Sequence, residues 1–189
     1  MSSPRAATGA IGWFGKIPAL GDFVVRRLPN SFVQPWDEWL SKELSDAREE
    51  WADAWPALYR SAPITCFSVS AGVLDEHTWC GILVPSFDRV GREFPLTISC
   101  SQPANSTTLP PREWWAALID AARRALETGC GANELDDALT AIREFESPSV
   151  GIAAEKSIWW PWPDEPTHAL ISDNLPRGAC FRKLLASLP

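Results

Sequence analysis

Apolar residues recur every three or four positions between Gln34 and Trp51, which predicts an amphipathic helix. Pro35 suits the first helical position, so the pattern places the helix start there. A shorter helix is predicted from Ala52 to Arg60, interrupted or restarted at Pro56. Three later helices are predicted: one opened by Pro110-Pro111 and ended by Gly129, one capped by Asn133, and one from Pro176 to Leu188.

Short apolar or alternating runs predict strands between these helices. The predicted strands cover residues 10–16, 64–70, 78–84, 96–101, 157–162 and 168–172, and residues 21–25 form a further extended piece or a turn. Strands that alternate with helices predict a single three-layer α/β domain, with a mixed central sheet flanked by helices. We expect residues 1–9 to be disordered and residues 10–189 to form that one domain.

Composition narrows the class of protein. Apolar residues make up 46% of the 189 positions, and the formal net charge is −7. This charge argues against a nucleic-acid partner and against docking on anionic lipid. Because no apolar run reaches the roughly 20 residues of a bilayer span, and the N-terminus lacks a signal-like apolar region, we predict a cytoplasmic protein without direct membrane insertion.

The sequence offers no motif for catalysis. It has no CxxC pair, zinc-protease helix or phosphate loop. His77 lies in an Asp75-Glu76-His77 turn that is more typical of solvated surface than of a metal ligand, and His168 has no Cys, His or carboxylate partner next to it in the sequence. The run from Ser68 to Gly72 has Ser68 where a nucleophile elbow needs glycine. We therefore predict no catalytic residue, no metal and no cofactor, although distant residues can still converge in a fold. Cys66, Cys80 and Cys100 lie in apolar runs and are predicted to be buried.

Tryptophan is unusually frequent, with 11 residues in the chain. The run WWPWP, from Trp159 to Pro163, cannot bury three indoles on one face, because alternate strand residues point to opposite sides. At least one of these rings is a candidate for a second packing layer or for a partner surface. Stacking on a sugar is the alternative.

Two separated stretches carry a family resemblance. The first is GWFGKIPALGDFVVRRLPNSFVQPWDEWL, from Gly12 to Leu40, and the second is GILVPSFDRVGREFPLT, from Gly81 to Thr97. In this order they resemble the TagF (ImpM) family of accessory proteins of bacterial type VI secretion systems. The resemblance implies a non-enzymatic, post-translational negative regulator, in the stand-alone form, that binds a cytoplasmic component such as the forkhead-associated scaffold protein.

Two roles compete for the motif residues. Structural roles, such as fixing turns or locking the two loops together, are predicted for nine of them: Gly12, Trp13, Gly15, Lys16, Pro18, Gly21, Asp22, Asp88 and Gly91. Contact with the protein partner is predicted for five others: Phe23, Arg26, Arg27, Arg89 and Arg92.

The alternative function is a small hydrolase or a carbohydrate-binding protein that uses the Trp-rich surface. A deep pocket with converging titratable groups would favour this alternative. The segment from Asp37 to Asp53, with seven acidic and two basic residues, is either a solvated helix face or a second partner surface.

Overall fold

The computed structural model describes residues 9–102, 109–143, 145 and 156–186. Its strands form one seven-stranded sheet in the order β2-β1-β5-β4-β3-β6-β7. They are β1 (Gly12–Gly15), β2 (Val24–Arg26), β3 (Thr65–Val69), β4 (Thr78–Val84), β5 (Leu96–Gln102), β6 (Lys156–Pro161) and β7 (Leu170–Asp173).

Every pair of neighbouring strands is antiparallel. The predicted combination of helices and strands is confirmed, but the predicted mixed sheet is wrong. The reason lies in the connections, since β1 to β2, β3 to β4, β4 to β5 and β6 to β7 are joined without an intervening α-helix. Parallel neighbours need a long crossover, usually a helix, whereas antiparallel neighbours do not.

The helices are α1 (Asn30–Trp51), α2 (Trp55–Ser61), α3 (Arg112–Thr128), α4 (Ala132–Thr140) and α5 (Ala179–Ala186). Helix α1 starts at Asn30, so Pro35 lies inside it and its predicted place at the helix start is wrong. Phe32 and Trp36 are both fully buried and stack with ring centroids 5.0 Å apart. This packing outweighs the backbone hydrogen bond that Pro35 cannot donate. Helix α4 likewise has Gly131, not Asn133, at its N-cap, where the Gly131 N–H donates to Glu134 Oε2 at 2.7 Å.

Two hydrophobic clusters form the core. One includes residues of α1, α2 and α5, and the other includes residues of α3 and α4. Two consecutive residues of β6 belong to different clusters: Trp159, 1% exposed, packs in the first, and Trp160, 2% exposed, packs in the second. The three-layer arrangement stays a prediction that these two clusters support. Trp162, the third indole of the run, is half-buried, with the Arg112 guanidinium 4.5 Å from its ring centroid.

The cysteine predictions hold for the sheet, where Cys66, Cys80 and Cys100 are buried. Cys180 is exposed, because α5 starts at Ala179 and turns Phe181, Leu184 and Leu185 inward. Residues 1–8, for which we predicted disorder, lie outside the described residues, as do the last residues of the predicted C-terminal helix. Gly9 is described, and its N–H donates to Ser101 O at 2.8 Å. None of the helices in the described ranges has the length and apolarity of a membrane span.

Candidate docking surface

The two motif stretches lie side by side in the fold. Strand β1 pairs with β5, which brings the turn after β1 next to the loop between β4 and β5. The Arg89 N–H donates to Leu20 O at 2.9 Å, and Arg92 Nη2 donates to Gly21 O at 2.7 Å. The two loops therefore touch through backbone carbonyls at residues 20 and 21.

Asp88 is the centre of this junction. Its side chain is fully buried, and Oδ2 accepts from Lys16 Nζ at 3.1 Å and from Arg92 Nε at 2.6 Å. Oδ1 accepts from the backbone N–H groups of Val90 at 3.0 Å and Arg92 at 2.9 Å. A carboxylate with four donors and two cationic partners fixes the loop, which is the structural role predicted for Asp88 and Lys16.

Opposing effects act on the pKa of Asp88. Burial by itself raises the pKa, but the hydrogen bonds from Arg92, Lys16 and Val90 outweigh it and hold the pKa well below its usual range. Asp88 therefore stays ionised at neutral pH, as the counter-ion of Lys16, which is only 6% exposed. We call Lys16, Asp88 and Arg92 the buried ionic cluster.

The loop between β4 and β5 is also held by α2. The Tyr59 hydroxyl donates to Ser86 O at 2.9 Å and accepts from the Ser86 N–H at 3.1 Å. Burial raises the pKa of Tyr59, so this hydroxyl keeps its proton. Ser86 Oγ in turn donates to Lys16 O at 2.7 Å. A loop held from two sides loses little conformational entropy when a partner binds.

Two motif glycines meet a backbone requirement. Gly15 has φ +129° and packs against Pro95 O with no room for a Cβ, and Gly91 has φ +82° in the loop next to Asp88. Gly12 also lies where a Cβ would collide, with Arg26 O. Gly21 differs, since a Cβ there would meet only Arg89 Nη2, at 3.6 Å. Pro18 lies in the turn after β1, and Pro29 is the N-cap of α1.

Exposed apolar side chains concentrate on these two loops. In the described part of the chain five large hydrophobic residues are exposed, and four of them belong to the two stretches: Phe23 (44%), Val25 (43%), Phe87 (47%) and Val90 (68%). The Phe23 ring is held in place by Phe94, with centroids 4.7 Å apart, by Phe14 at 5.9 Å, and by Lys16 Nζ 4.8 Å from its centroid. Such preordered apolar groups are typical of binding sites.

The arginines of the two stretches differ in how they are held. Arg89 is exposed, and its side chain has no ion pair or hydrogen bond among the residues described. The Arg92 side chain is 61% exposed, but its guanidinium is bound to Asp88 and to Gly21 O. Arg89 therefore remains a cation open to a partner, whereas Arg92, predicted as a contact residue, belongs to the buried ionic cluster. We call Phe23, Val25, Phe87, Arg89 and Val90 the signature surface.

Arg26 and Arg27 are also partly engaged within the chain, at Asp136 of α4. Arg27 Nη1 lies 3.0 Å from Asp136 Oδ1, and Arg26 Nε lies 3.5 Å from Oδ2. Arg27 Nε also donates to Ile11 O at 2.7 Å, and the fully buried Trp13 donates its indole N–H to Asp136 Oδ1 at 2.7 Å. Each arginine thus has an acidic partner within the chain, and the contact role predicted for both stays a prediction. We call Arg26, Arg27 and Asp136 the outer ionic cluster.

Asp22 is exposed, and its Oδ1 accepts the adjacent Phe23 N–H at 2.8 Å, which is a contact within its own loop. In the described part of the chain Asp22 forms no ion pair with an arginine, and its predicted role in locking the two loops together stays a prediction. Sequence reasoning missed three residues here: Asp136, Phe87 and Val90. A buried tryptophan such as Trp13 needs an acceptor for its indole N–H, but the sequence does not show which residue supplies that acceptor. The alternation of apolar and charged residues in PSFDRVGREFP was the available signal for Phe87 and Val90.

The described residues outside the two loops show no cluster of side chains arranged for catalysis or metal binding. No group of three or more His, Cys, Asp or Glu there is arranged to hold a metal ion. Ser68 is fully buried in β3, with Oγ 3.2 Å from Cys80 Sγ. His77 lies 3.4 Å from Asp75 Oδ1 in the turn before β4, and His168 is exposed beside Thr167.

Comparisons with known proteins cover both motif stretches. A model of the TagF N-terminal domain, described as type VI secretion system-associated, matches residues 12–142. Among solved structures, the crystal structure of PA0076 from Pseudomonas aeruginosa PAO1 superposes with a TM-score of 0.83 at 26% sequence identity, covering 95% of this chain and 96% of that chain. A search of curated protein sequences found no significant match. Since the matched residues span more than half of the chain and contain both motif stretches, the protein belongs to the TagF family of type VI secretion system-associated proteins.

Proposed function

We propose that this protein is a non-enzymatic, post-translational negative regulator of a bacterial type VI secretion system. It acts in the cytoplasm by binding a component of the system, and the forkhead-associated scaffold protein is the partner that the family resemblance implies. The observation that carries the proposal is the signature surface, in which exposed Phe23, Phe87 and Val90 and the cation Arg89 lie on two loops fixed by the buried ionic cluster.

This architecture suits binding more than chemistry. The buried ionic cluster and the hydrogen bonds of Tyr59 hold the loops before a partner arrives, so little affinity is lost to ordering. An exposed aromatic ring beside an available guanidinium is the combination found at protein–protein hot spots.

The alternative, a hydrolase or a carbohydrate-binding protein, has less support. Ser68 is fully buried with Oγ against Cys80 Sγ, whereas the side chains of His77 and His168 contact Asp75 and Thr167, so no described contact activates the serine. The half-buried Trp162 has the Arg112 guanidinium over one face of its ring, which leaves that face closed to a stacking sugar. Arg112 Nη1 is also bound to Glu165 at 2.6 Å, so this arrangement is satisfied within the chain.

The test measures binding of the purified full chain to the forkhead-associated scaffold of the same secretion system, together with release of a secreted substrate by cells. Arg89→Glu reverses the available cation and adds repulsion against an acidic partner. We expect affinity to fall by about tenfold or more, equivalent to ~1.4 kcal/mol, and secretion to be de-repressed. Arg26 and Arg27 suit this test less well because both contact Asp136.

The matched control is Arg123→Glu, an exposed charge reversal on α3. It should leave affinity and repression unchanged, and both variants should melt like the wild type. If the wild-type chain does not bind the scaffold, that partner assignment fails. If Arg89→Glu binds and represses normally, the signature surface is not the regulatory contact.

A further inference from the structure

Strand β2 is an open edge of the sheet. It stands first in the strand order and pairs with β1 alone. In the part of the chain that the structure describes, Val24–Arg26 makes no backbone hydrogen bond beyond its pairing with β1. The N–H and C=O groups on its outer side are therefore available to another extended segment.

Side chains along this edge form an apolar row on one face. Val25 is paired with Phe14, and cross-strand partners lie on the same face of a sheet. Phe23, two residues earlier, stacks with Phe14 and packs against Phe94, so it lies on that face as well. Both Phe23 and Val25 are more than 40% exposed. A strand added beside β2 would cover both of them.

Positive charge lies at the start of this row. The Arg92 guanidinium donates to Gly21 O, and Arg89 Nη2 is close enough to Gly21 to contact a Cβ built there, at 3.6 Å. Asp88 is the shared counter-ion of Lys16 and Arg92, and the exposed Asp22 follows Gly21. With Arg89, these five side chains carry three positive and two negative charges, a net charge of +1. The whole chain is acidic, with a net charge of −7, so this local surplus selects an acidic partner group.

The opposite edge of the sheet, β7, lacks this combination. Its exposed apolar residue, Ile171, stands without an exposed aromatic neighbour on the strand, and β7 ends at Asp173, whose side chain is 83% exposed and bound to Lys156 at 2.8 Å. Strand β2 also ends in an exposed charge, Arg26, but that charge is a cation paired with Asp136. The exposed carboxylate of Asp173 repels an acidic segment, so the two edges differ in the sign of their charge.

We propose that β2 receives an extended segment of the partner, which adds a strand to the sheet. Apolar side chains at alternate positions of the segment pack on Phe23 and Val25, and a carboxylate pairs with Arg89. The inference rests on the proposed function in taking the partner to be a secretion component, but the edge strand itself sets the chemistry of the segment.

A displayed library of random twelve-residue peptides, selected on the full wild-type chain, tests this. We expect enrichment of sequences in which apolar residues alternate with other residues and an acidic residue stands near one end. In hydrogen exchange, the outward amides of Val24–Arg26 should exchange about tenfold or more slowly with a selected peptide bound, because they gain hydrogen bonds. Enrichment of no sequence, or binding that leaves these amides unprotected, overturns the proposal.

Two single substitutions refine the test. Val25→Asp places a carboxylate in the apolar row and should weaken peptide binding by about tenfold or more, since it removes an apolar contact and repels an acidic segment. Ile171→Asp makes the same change at the other exposed edge and should have no effect. A thermal melt of each variant checks folding, and equal peptide affinity for the two variants contradicts the proposal.

The outcomes for the two proposals can be told apart. If selected peptides protect β2 but the forkhead-associated scaffold does not bind, strand addition stands and the proposed partner fails. If the scaffold binds and the amides of β2 exchange as in the free protein, the proposed function stands and strand addition fails.

Discussion

The buried and outer ionic clusters tie the same motif stretch to different parts of the fold, but they differ in burial. In the buried ionic cluster, Asp88 and Lys16 are 0% and 6% exposed, Asp88 receives four hydrogen bonds, and Arg92 alone extends into solvent. In the outer ionic cluster, the side chains of Arg26, Arg27 and Asp136 are 46%, 31% and 19% exposed. The charged residues of one sequence motif thus have different roles, which depend on how far water is excluded.

The difference follows from solvation. A buried carboxylate gives up its water and becomes costly as soon as one partner is removed, because the remaining charge has no compensation. A half-exposed ion pair is screened by water and contributes little to the free energy of unfolding. The buried ionic cluster should therefore control the shape of the loops, whereas the outer ionic cluster adjusts stability more modestly.

The largest effect is expected from Asp88→Asn. The amide is neutral and presents an NH₂ group among donors, so Lys16 is left buried without its counter-ion. We expect the largest fall in melting temperature among the variants considered and a loss of partner binding as the loops separate. The measurement is differential scanning calorimetry. Asp22→Asn is the matched control, because Asp22 is exposed and accepts one local hydrogen bond; similar melting of the two variants would contradict the comparison.

The second prediction concerns pH. The folded-state pKa of Asp88 lies below its ordinary value of 3.8, so its stabilising contribution is present above 3.8 and is lost as the pH falls from there toward the lowered pKa. The pKa of Asp75 is lowered too, but that residue is present in both the wild type and Asp88→Asn. Urea unfolding of both proteins over this acid range should show the difference between them narrowing as the pH falls. A constant difference would mean that the charge of Asp88 is not what stabilises the loop.

Third, Asp136→Ala should destabilise the protein by about 1–2 kcal/mol, because the buried indole N–H of Trp13 loses its acceptor and Arg27 loses its ion pair. Urea unfolding at neutral pH measures the change. Asp136→Asn keeps an acceptor for Trp13 and should restore part of the loss. Equal losses in the two variants would assign the whole effect to charge.

The smallest effect is expected from Arg26→Ala. Its Nε lies 3.5 Å from Asp136 Oδ2 and its side chain is 46% exposed, so the pair should contribute less than about 0.5 kcal/mol. Urea unfolding at low and high salt measures it, and high salt should reduce the difference further. A loss as large as that of Asp136→Ala would show that the outer ionic cluster acts as a unit.

Local patterns predicted the elements whose signals were local. The apolar run from Thr78 to Val84 was predicted with the bounds that β4 has, since a fully buried strand is apolar on both faces. The glycine signal at the end of α3 was also correct, because Gly129 adopts the left-handed conformation that ends the helix. The pairing of strands could not be derived from such local patterns. Strand β6 pairs with β3, which is far away along the chain, and the residues of neither strand indicate which strand lies beside it.

The candidate site was predicted only in part, because some of its contacts join segments that are distant along the chain. The motif residues pointed to two loops, and Asp88, Lys16 and Arg92 do meet there. Arg26 and Arg27 were predicted to contact a partner, and the sequence did not indicate that both also pair with Asp136 of α4. The Trp13–Asp136 hydrogen bond spans 123 positions of the chain. The open edge at β2 was likewise invisible before the strand order was known.

The sequence by itself determined many of the helices and strands, the loops that contain glycine and proline, and the family. These features depend on residue type and spacing along the chain. Only the tertiary structure decided which charges are buried, which are paired and which remain open to a partner. The physical reason is that the energy of a charge depends on the water and the counter-ions around it, and distant segments supply both. Arg89 and Arg92, three positions apart in one loop, therefore have different roles: one guanidinium remains available, and the other is bound to Asp88 and to a backbone carbonyl.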